Sequence, residues 1–418
     1  AQQNSYVTIP RATNSFDNTE IVANVDEDII DSLTGGRLVG SVTSFENFAE
    51  CPLRYYLRYG VDLKEREEFT FSPVNFGVVL HAVIREVCDE IKKNGESYYL
   101  ISEEKRREMV KRSVAAITDI YQNSILKDSS RNSFMIKRME DLADRTVWAM
   151  GEQLKCGDFV PFVFEHKFNM EVGDGDRKQL MSGTIDRVDI CENGTDVYVR
   201  IIDYKTGKKD FNIVKTYYGI DIQLMVYMEA AMKLVAKMRP GKNVIPAGVF
   251  YYNISDPIVS ATTESAEEIE DKIKGELRLK GMVNSDKDIA EKMDNTGGTS
   301  LNIPVSRKAD GGFDSRRSKV MNTEQFNMLG RFVDVRAVDT ADRIAGGDIR
   351  RSPYKDGQFS SCDRCPYGAV CGFSVDLPGC NYRKLKKFDD EVLWNNIKEG
   401  VDENGKKINE KLIGWRDE

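Results

Sequence analysis

Three of the chain's eight cysteines fall within ten residues, in SSCDRCPYGAVC, and a fourth stands far upstream. The set reads Cys51, Cys362, Cys365 and Cys371: 362 minus 51 leaves 310 intervening residues, then two, then five. If one centre takes all four thiolates, the two ends of the chain must meet whatever lies between them. That closes a loop of roughly 300 residues, whose unassisted closure entropy is on the order of several kcal/mol. In a chain with no export signal, such clustering favours metal binding over disulfides. Structural zinc prefers two local pairs, whereas three local thiolates with a distant fourth suit a four-iron cluster. The spacing therefore favours a structural 4Fe-4S clasp over zinc. Cys88, Cys156, Cys191 and Cys380 have no partners at ligand spacing and read as buried or incidental.

A chain of 418 residues with 40% apolar content can bury a large core, as one elaborated domain or two. The formal charge of -8 and pI near 5.3 argue against a chain coated in positive charge, but a basic groove fits inside an acidic total, so DNA is neither supported nor excluded. There is no run of about 18 apolar residues, and AQQNSYVTIPRATNSF lacks the order of a secretion signal, so the chain reads as soluble and cytoplasmic. It opens on Ala1, as an excised fragment would, and residues 1–40, polar and without period, read as an arm or linker.

Residues 41–59 read as two short helical pieces meeting at Cys51-Pro52, with Ser44 as N-cap candidate. A helix over 76–93 carries the stripe Leu80, Ile84, Val87 and Ile91, stops at Asn94-Gly95 and holds His81. Residues 102–156 are charged and helical, with opposite charges at i,i+4. The period then changes: 162–170, 179–190 and 197–204 read as three antiparallel strands, with a turn at Asn193-Gly194. A helix over about 219–238 and a strand over 244–252 complete the order helix, three strands, helix, strand. Residues 255–320 read as an insertion with a mobile loop, and a helix over 323–345 leads into the cysteines. The expected architecture is mixed α/β. It has an arm at 1–40, a domain at 41–390 with insertions at about 100–157 and 255–320, and a charged tail at 391–418 with a short amphipathic helix.

With that turn, positions summing to about 388 face each other, and Asp186 plus Asp203 sum to 389. Two carboxylates thus oppose across neighbouring strands. Lys205, two beyond Asp203, points to the same face. Carboxylate oxygens suit Mg²⁺ or Mn²⁺, which keep waters for a phosphate and a nucleophile. An isolated Asp-X-Lys near a turn is most often a surface ion pair; its companions reverse that reading. They are GVVLH (77–81), GTIDRVD (183–189), DYKTG (203–207) and QLMVY (223–227), in that order.

This series resembles the RecB-type branch of the PD-(D/E)XK nucleases, with their restriction-endonuclease-like core. The resemblance implies that His81, Asp186 and Asp203 are metal ligands together with the backbone carbonyl of Tyr204, and that Lys205 is the catalytic lysine. It places Gln223 and Tyr227 against DNA or as braces of the site. Glu165, on the first strand, is a further candidate for the acid cluster, His166 is assigned no role, and Arg187 and Asp189 read as strand-surface or supporting contacts.

With CPLRYYLRYG and CDRCPYGAVC added, residues 40–390 resemble the nuclease domains found in the B subunits of bacterial AddAB-type helicase-nucleases. That implies a metal-dependent deoxyribonuclease acting on a single strand at an unwound duplex end in recombinational repair, partnered by an AddA-type helicase-nuclease. No G-x-x-x-x-G-K-[ST] loop occurs, so a helicase-like portion is expected to precede Ala1. Alternatives are a catalytically silent iron-sulfur clamp on DNA ends and a stand-alone nuclease of the CRISPR-adaptation type, although such proteins are far shorter. The basic stretches 205–215, 307–319 and 383–387 are candidate strand paths, each more simply read as a solvated face.

Overall fold

The structure is a computed structural model that describes residues 24–26, 39–64, 73–121, 130–172, 179–260, 264–377 and 379–401. Strand β1 (Val39–Ser41) runs into helix α1 (Val42–Glu50), whose cap is Ser41 and not Ser44. A capping residue must be extended while its oxygen takes an orphan N–H of the first turn. Ser41 meets both needs, with ψ of 157° and Oγ 3.1 Å from the Ser44 nitrogen. Cys51 is extended because Pro52 disfavours helical backbone before it, and α2 (Pro52–Tyr55) restarts with that proline at its first position. The two pieces thus meet at Cys51-Pro52 as expected.

Helices α3 (Pro73–Lys93), α4 (Glu103–Tyr121) and α5 (Ser130–Lys155) follow. Leu80, Ile84, Val87 and Ile91, the apolar stripe of α3, are each at most 1% exposed. Three strands then form an antiparallel meander: β2 (Val160–Val172), β3 (Gln179–Asn193) and β4 (Asp196–Lys205). The β3–β4 turn is centred on Gly194-Thr195, one residue beyond the expected Asn193-Gly194. Asn193 pairs with Asp196, and the glycine takes the positive φ of 60° that a tight hairpin needs.

Helix α6 (Ile213–Tyr217) is separate from α7 (Gln223–Met238), so the helix expected from about 219 begins later; Gly219, at φ 75°, breaks the backbone between them. Strand β5 (Asn243–Asn253) lies parallel to β4, and α7 packs over one face of the sheet they share. Residues 255–320 hold more regular structure than their composition suggests: α8 (Ala266–Glu276), β6 (Lys280–Asn284) and α9 (Lys287–Met293). β6 extends the main sheet antiparallel to β5, and β7 (Val320–Met321) adds to its edge. The polar loop beyond α9 is organised by buried Asp294, which accepts from Ser300 Oγ at 2.5 Å and from the Thr296 nitrogen at 2.9 Å.

Helix α10 (Thr323–Ala345) spans the expected residues. After it come β8 (Tyr354–Asp356), β9 (Phe359–Ser360), α11 (Gly368–Cys371), β10 (Arg383–Lys384) and α12 (Asp390–Gly400). Helix α12 crosses the tail boundary expected at 390, and its Leu393 and Ile397 are buried in the main core, so this part of the tail belongs to the domain. Most of the expected arm, and residues 402–418, lie outside the described residues. No helix among the described residues is long and apolar enough to cross a membrane.

The sheet is covered on both faces. One core joins β3, β4 and β5 to α7, α10 and α12 through Ile201, Val249, Leu224, Ala231 and Phe332. The other joins it to α3, α4 and α5 through Ile202, Phe250, Leu80, Met109 and Val147. Strand β2 occupies one edge of β3 from Gln179 to Ile190. β1 pairs at Leu180–Ser182 and β4 at Arg187–Asn193, so these two share the opposite edge and leave 183–186 in the fork between them.

Arg187 and Asp189 are not surface groups. With Arg200 they form an ion triad, each at most 1% exposed: Arg187 donates to both Asp189 oxygens at 2.7 and 2.6 Å, and Arg200 donates at 2.9 Å. Burial alone would raise the Asp189 pKa, but the two guanidiniums hold it below the usual carboxylate range. The triad lies inside the core because α3 and α5 cover that face of the sheet. Asp189→Ala leaves two buried cations without a counter-charge and should cost about 3–5 kcal/mol of unfolding free energy in a denaturant titration. A loss under about 1 kcal/mol, the range of an exposed pair, would show that the triad is solvated.

Candidate active site and cysteine cluster

The β3–β4 ladder runs at a constant sum of 389, from Asn193↔Asp196 to Arg187↔Ile202. The next step is Asp186 opposite Asp203. At that step the ladder gives way: Asp186 Oδ2 accepts from the backbone nitrogen of Tyr204 at 2.6 Å. Asp186 is thereby pinned at the mouth of the fork. Lys205 Nζ lies 2.5 Å from Asp203 Oδ2, joining the acid and the lysine expected to share a face.

From α3, His81 Nδ1 reaches 3.4 Å from Asp186 Oδ1 and 3.6 Å from Glu165 Oε1. Its ring stands perpendicular to that of Tyr204, centroids 5.9 Å apart. Glu165 gets there by unusual backbone: it sits in β2 at φ 48°, a left-handed conformation that costs energy for a side chain with a Cβ. The ligand atoms of His81, Glu165 and Asp186 all lie within 4.8 Å of one another, the one such group among the described residues. Asp203 stands beside this trio, so Glu165, the further candidate for the acid cluster, joins His81 and Asp186, while Asp203 turns toward Lys205. Tyr204 contributes its N–H to Asp186, and its buried ring packs between His81 and Tyr252.

The electrostatics are those of a site short of positive charge. Burial and the neighbouring charge of Asp186 push the Asp203 carboxyl up to about 7 against the pull of Lys205. Burial works against a charged His81, yet the adjoining carboxylates of Asp186 and Glu165 prevail and raise it to about 10. A proton on His81 Nδ1 balances the two carboxylates. An imidazole and carboxylate oxygens converging on one point are also the donor set that a divalent cation accepts.

Gln223, the first residue of α7, donates from Nε2 to Tyr227 Oη at 2.9 Å. The Tyr227 ring meets Phe168 edge-on, and both press on Gly183: a Cβ there would sit 2.7 Å from Phe168 and 3.0 Å from Tyr227. Only glycine allows this approach. Beside it opens a groove of about 480 Å³ lined by Thr43, Lys167, Asn169, Ser182, Thr184 and Tyr227. It runs along β1, β2 and β3 to Tyr227, whose hydroxyl feels the charges of Asp203 and Asp186. Each basic stretch has a member engaged elsewhere: Lys209 pairs with Asp221, Lys319 with Asp210, and Arg383 donates to the carbonyls of Ser352 and Ala49.

One residue escaped the sequence reading. Glu46 of α1 accepts from the Gln223 nitrogen at 2.9 Å, and burial lifts its carboxyl to about 7 despite Lys209 nearby. The available signal was an acid between Phe45 and Phe48, on a helix that must bury its aromatic face.

The four cysteines are neighbours. Burial pushes Cys362 up to about 11, and the charges of Cys51, Cys365 and Cys371 add to that; Cys371 feels Cys51 and Cys365 likewise. Hydrogen bonds fasten the same junction. Arg383 Nη2 donates to Ala49 O at 2.6 Å, Leu53 N to Arg350 O at 3.2 Å, and Tyr367 Oη to Leu63 O at 3.0 Å. Cys88, Cys191 and Cys380 are buried, and Cys156 is partly so.

Residues 40–372 match the profile of the PD-(D/E)XK nuclease superfamily. The chain is 33% identical over 379 residues to the B subunit of an ATP-dependent helicase/deoxyribonuclease from Thermoanaerobacter sp. (strain X514), covering 88% of this chain and 33% of that protein. Proteins of the same description from Clostridium acetobutylicum and Clostridium botulinum are 34% and 32% identical over 93% and 94% of this chain. The aligned part is 34% and 35% of their lengths, so the chain spans about a third of the relatives it matches.

Asp203 also sets a pH dependence in metal-free protein. Its folded value of about 7 lies above the ordinary 3.8, so its ionisation opposes folding: the penalty is absent below pH 3.8 and grows as pH rises to about 7. With chelator present, Asp203→Asn should flatten the fall in melting temperature across that window. Parallel curves for variant and wild type would rule out the buried, charge-crowded carboxyl.

Proposed function

Since the chain belongs to the PD-(D/E)XK nuclease superfamily, we propose that it hydrolyses DNA phosphodiester bonds with a divalent metal, Mg²⁺ or Mn²⁺, held by His81, Asp186 and Glu165 with Asp203 adjacent. The observation that carries this is the convergence of His81, Glu165 and Asp186 within 4.8 Å beside the Asp203–Lys205 pair. When bound, such an ion polarises the scissile phosphate and lowers the pKa of a water.

The chain's own residues do the rest. The Lys205 ammonium, steadied by Asp203, offsets the charge that builds on the phosphate and orients the attacking water. The Tyr204 N–H holds Asp186 in place. The groove beside Tyr227 receives the strand, with Lys167 and the hydroxyls of Thr43, Ser182 and Thr184 as partners for its phosphates and sugars.

The similarity to the B subunits of helicase/deoxyribonucleases extends the proposal to a role. The domain cuts a single strand at an unwound duplex end, in the cytoplasm, partnered by an AddA-type helicase-nuclease. Cys51, Cys362, Cys365 and Cys371 would hold a 4Fe-4S cluster, which fits their mutual proximity and partial burial. Its task is structural, because it joins segments that hydrogen bonds already link.

End-labelled single-stranded DNA should be cut with Mg²⁺ and left intact with chelator. Lys205→Ala should lower cutting by about 10²-fold or more while binding persists; equal cutting by the variant would leave only a silent clamp. The protein should be brown, with broad visible absorption and about four irons per chain. Colourless protein carrying one zinc would overturn the cluster.

A further inference from the structure

Helix α7 begins without a cap of its own. Its N-cap residue, Ile222, has no side-chain acceptor, and its first turn holds no acid. The first N–H groups of a helix need partners, and its positive end favours an anion. The partner comes from another helix: the Gln223 nitrogen donates to Glu46 Oε1 at 2.9 Å, across 177 residues of sequence. Glu46 belongs to α1, the helix whose C-terminal cap is Cys51.

What Glu46 holds is specific. Gln223 passes the contact on through Nε2 to Tyr227 Oη at 2.9 Å, and Tyr227 forms a wall of the groove over Gly183. The charge of Glu46 is balanced by Lys209, whose Nζ is 3.0 Å from Asp221 Oδ1 and 4.5 Å from the centre of the Tyr251 ring. Tyr251 Oη closes the set by donating to Asp221 at 2.7 Å. Asp186, Asp203 and Lys205, by contrast, are carried by strands: Asp203 and Lys205 pair with β5, and Asp186 accepts from the Tyr204 N–H.

We propose that Glu46 is a positioning residue of this site: a cap supplied in trans, through which the helix ending at Cys51 fixes Gln223 and Tyr227 against the strand groove. The proposal rests on the nuclease reading for its substrate. It makes the cysteine junction a support of the groove as well as of the termini. Without the cap, the first turn of α7 frays, and the groove wall moves while the carboxylates stay.

The test compares Glu46→Ala with Glu46→Gln, which keeps an acceptor oxygen for the Gln223 N–H, in the full chain with single-stranded DNA. Glu46→Ala should raise KM about tenfold and weaken single-strand affinity in chelator to match, with kcat and visible absorption little changed. Glu46→Gln should restore both most of the way to wild type. A merely structural role would lower melting temperature and active fraction but leave KM alone. Wild-type KM and affinity in Glu46→Ala, or equal impairment in both variants, would overturn the proposal. If wild-type protein binds but does not cut, the nuclease reading fails on its own, and the affinity comparison still decides Glu46.

Discussion

The pairing of β3 with β4 at a constant sum of 389 is the constraint from which the rest of the site follows. A slip of one residue in a strand turns every side chain to the other face. Here it would send Asp186 away from Asp203 and, at the same stroke, move Arg187 and Asp189 out of the core that accepts their charges. The register is therefore enforced from both faces: by the hairpin with its positive-φ Gly194, and by an ion triad that has partners only when buried under α3 and α5. Where the ladder ends, the Asp186 side chain takes the Tyr204 N–H. A backbone hydrogen bond is thus converted into a fixed carboxylate at an open edge of the sheet.

Around that edge, energy is stored where chemistry is to occur. Glu165 holds a left-handed backbone, Asp203 is a carboxyl lifted toward neutrality by burial, and His81 is kept cationic by two acids. Each is unfavourable or finely balanced in the metal-free fold, and a divalent cation would offset the crowding of the carboxylates. Such departures from local preference cluster at functional sites because surrounding structure can sustain them there. The well-packed sheet beneath, with Val188, Ile201 and Val249 fully buried, supplies that support.

The cysteine junction is a second organising feature, and hydrogen bonds fasten it. Arg383 reaches back to the carbonyls that end α1, and Tyr367 to Leu63, so segments more than 300 residues apart are joined by ordinary hydrogen bonds beside the four free thiols. Helix α1 connects this junction to α7 through Glu46. The two ends of the domain are consequently part of the frame of the groove.

Much of this was legible in the residues. Alternation over 160–205 dictated three strands, Pro52 dictated the break at Cys51, and a turn glycine was enough to bring Asp186 opposite Asp203 within one residue of the true register, because local backbone preferences and a period of two act over short distances. The cysteine spacing likewise required the ends to meet. What the sequence could not hold was long-range placement. Glu165 is one candidate acid on a strand until its φ and its approach to His81 are seen; Arg187 and Asp189 read as strand-surface or supporting contacts until Arg200 and two covering helices are in place; the polar composition of 255–320 hides a strand that completes the sheet; and Glu46 gains meaning only from an uncapped helix 177 residues away. Those outcomes depend on which distant groups share a buried space, where desolvation and charge pairing are decided by packing and not by neighbours along the chain.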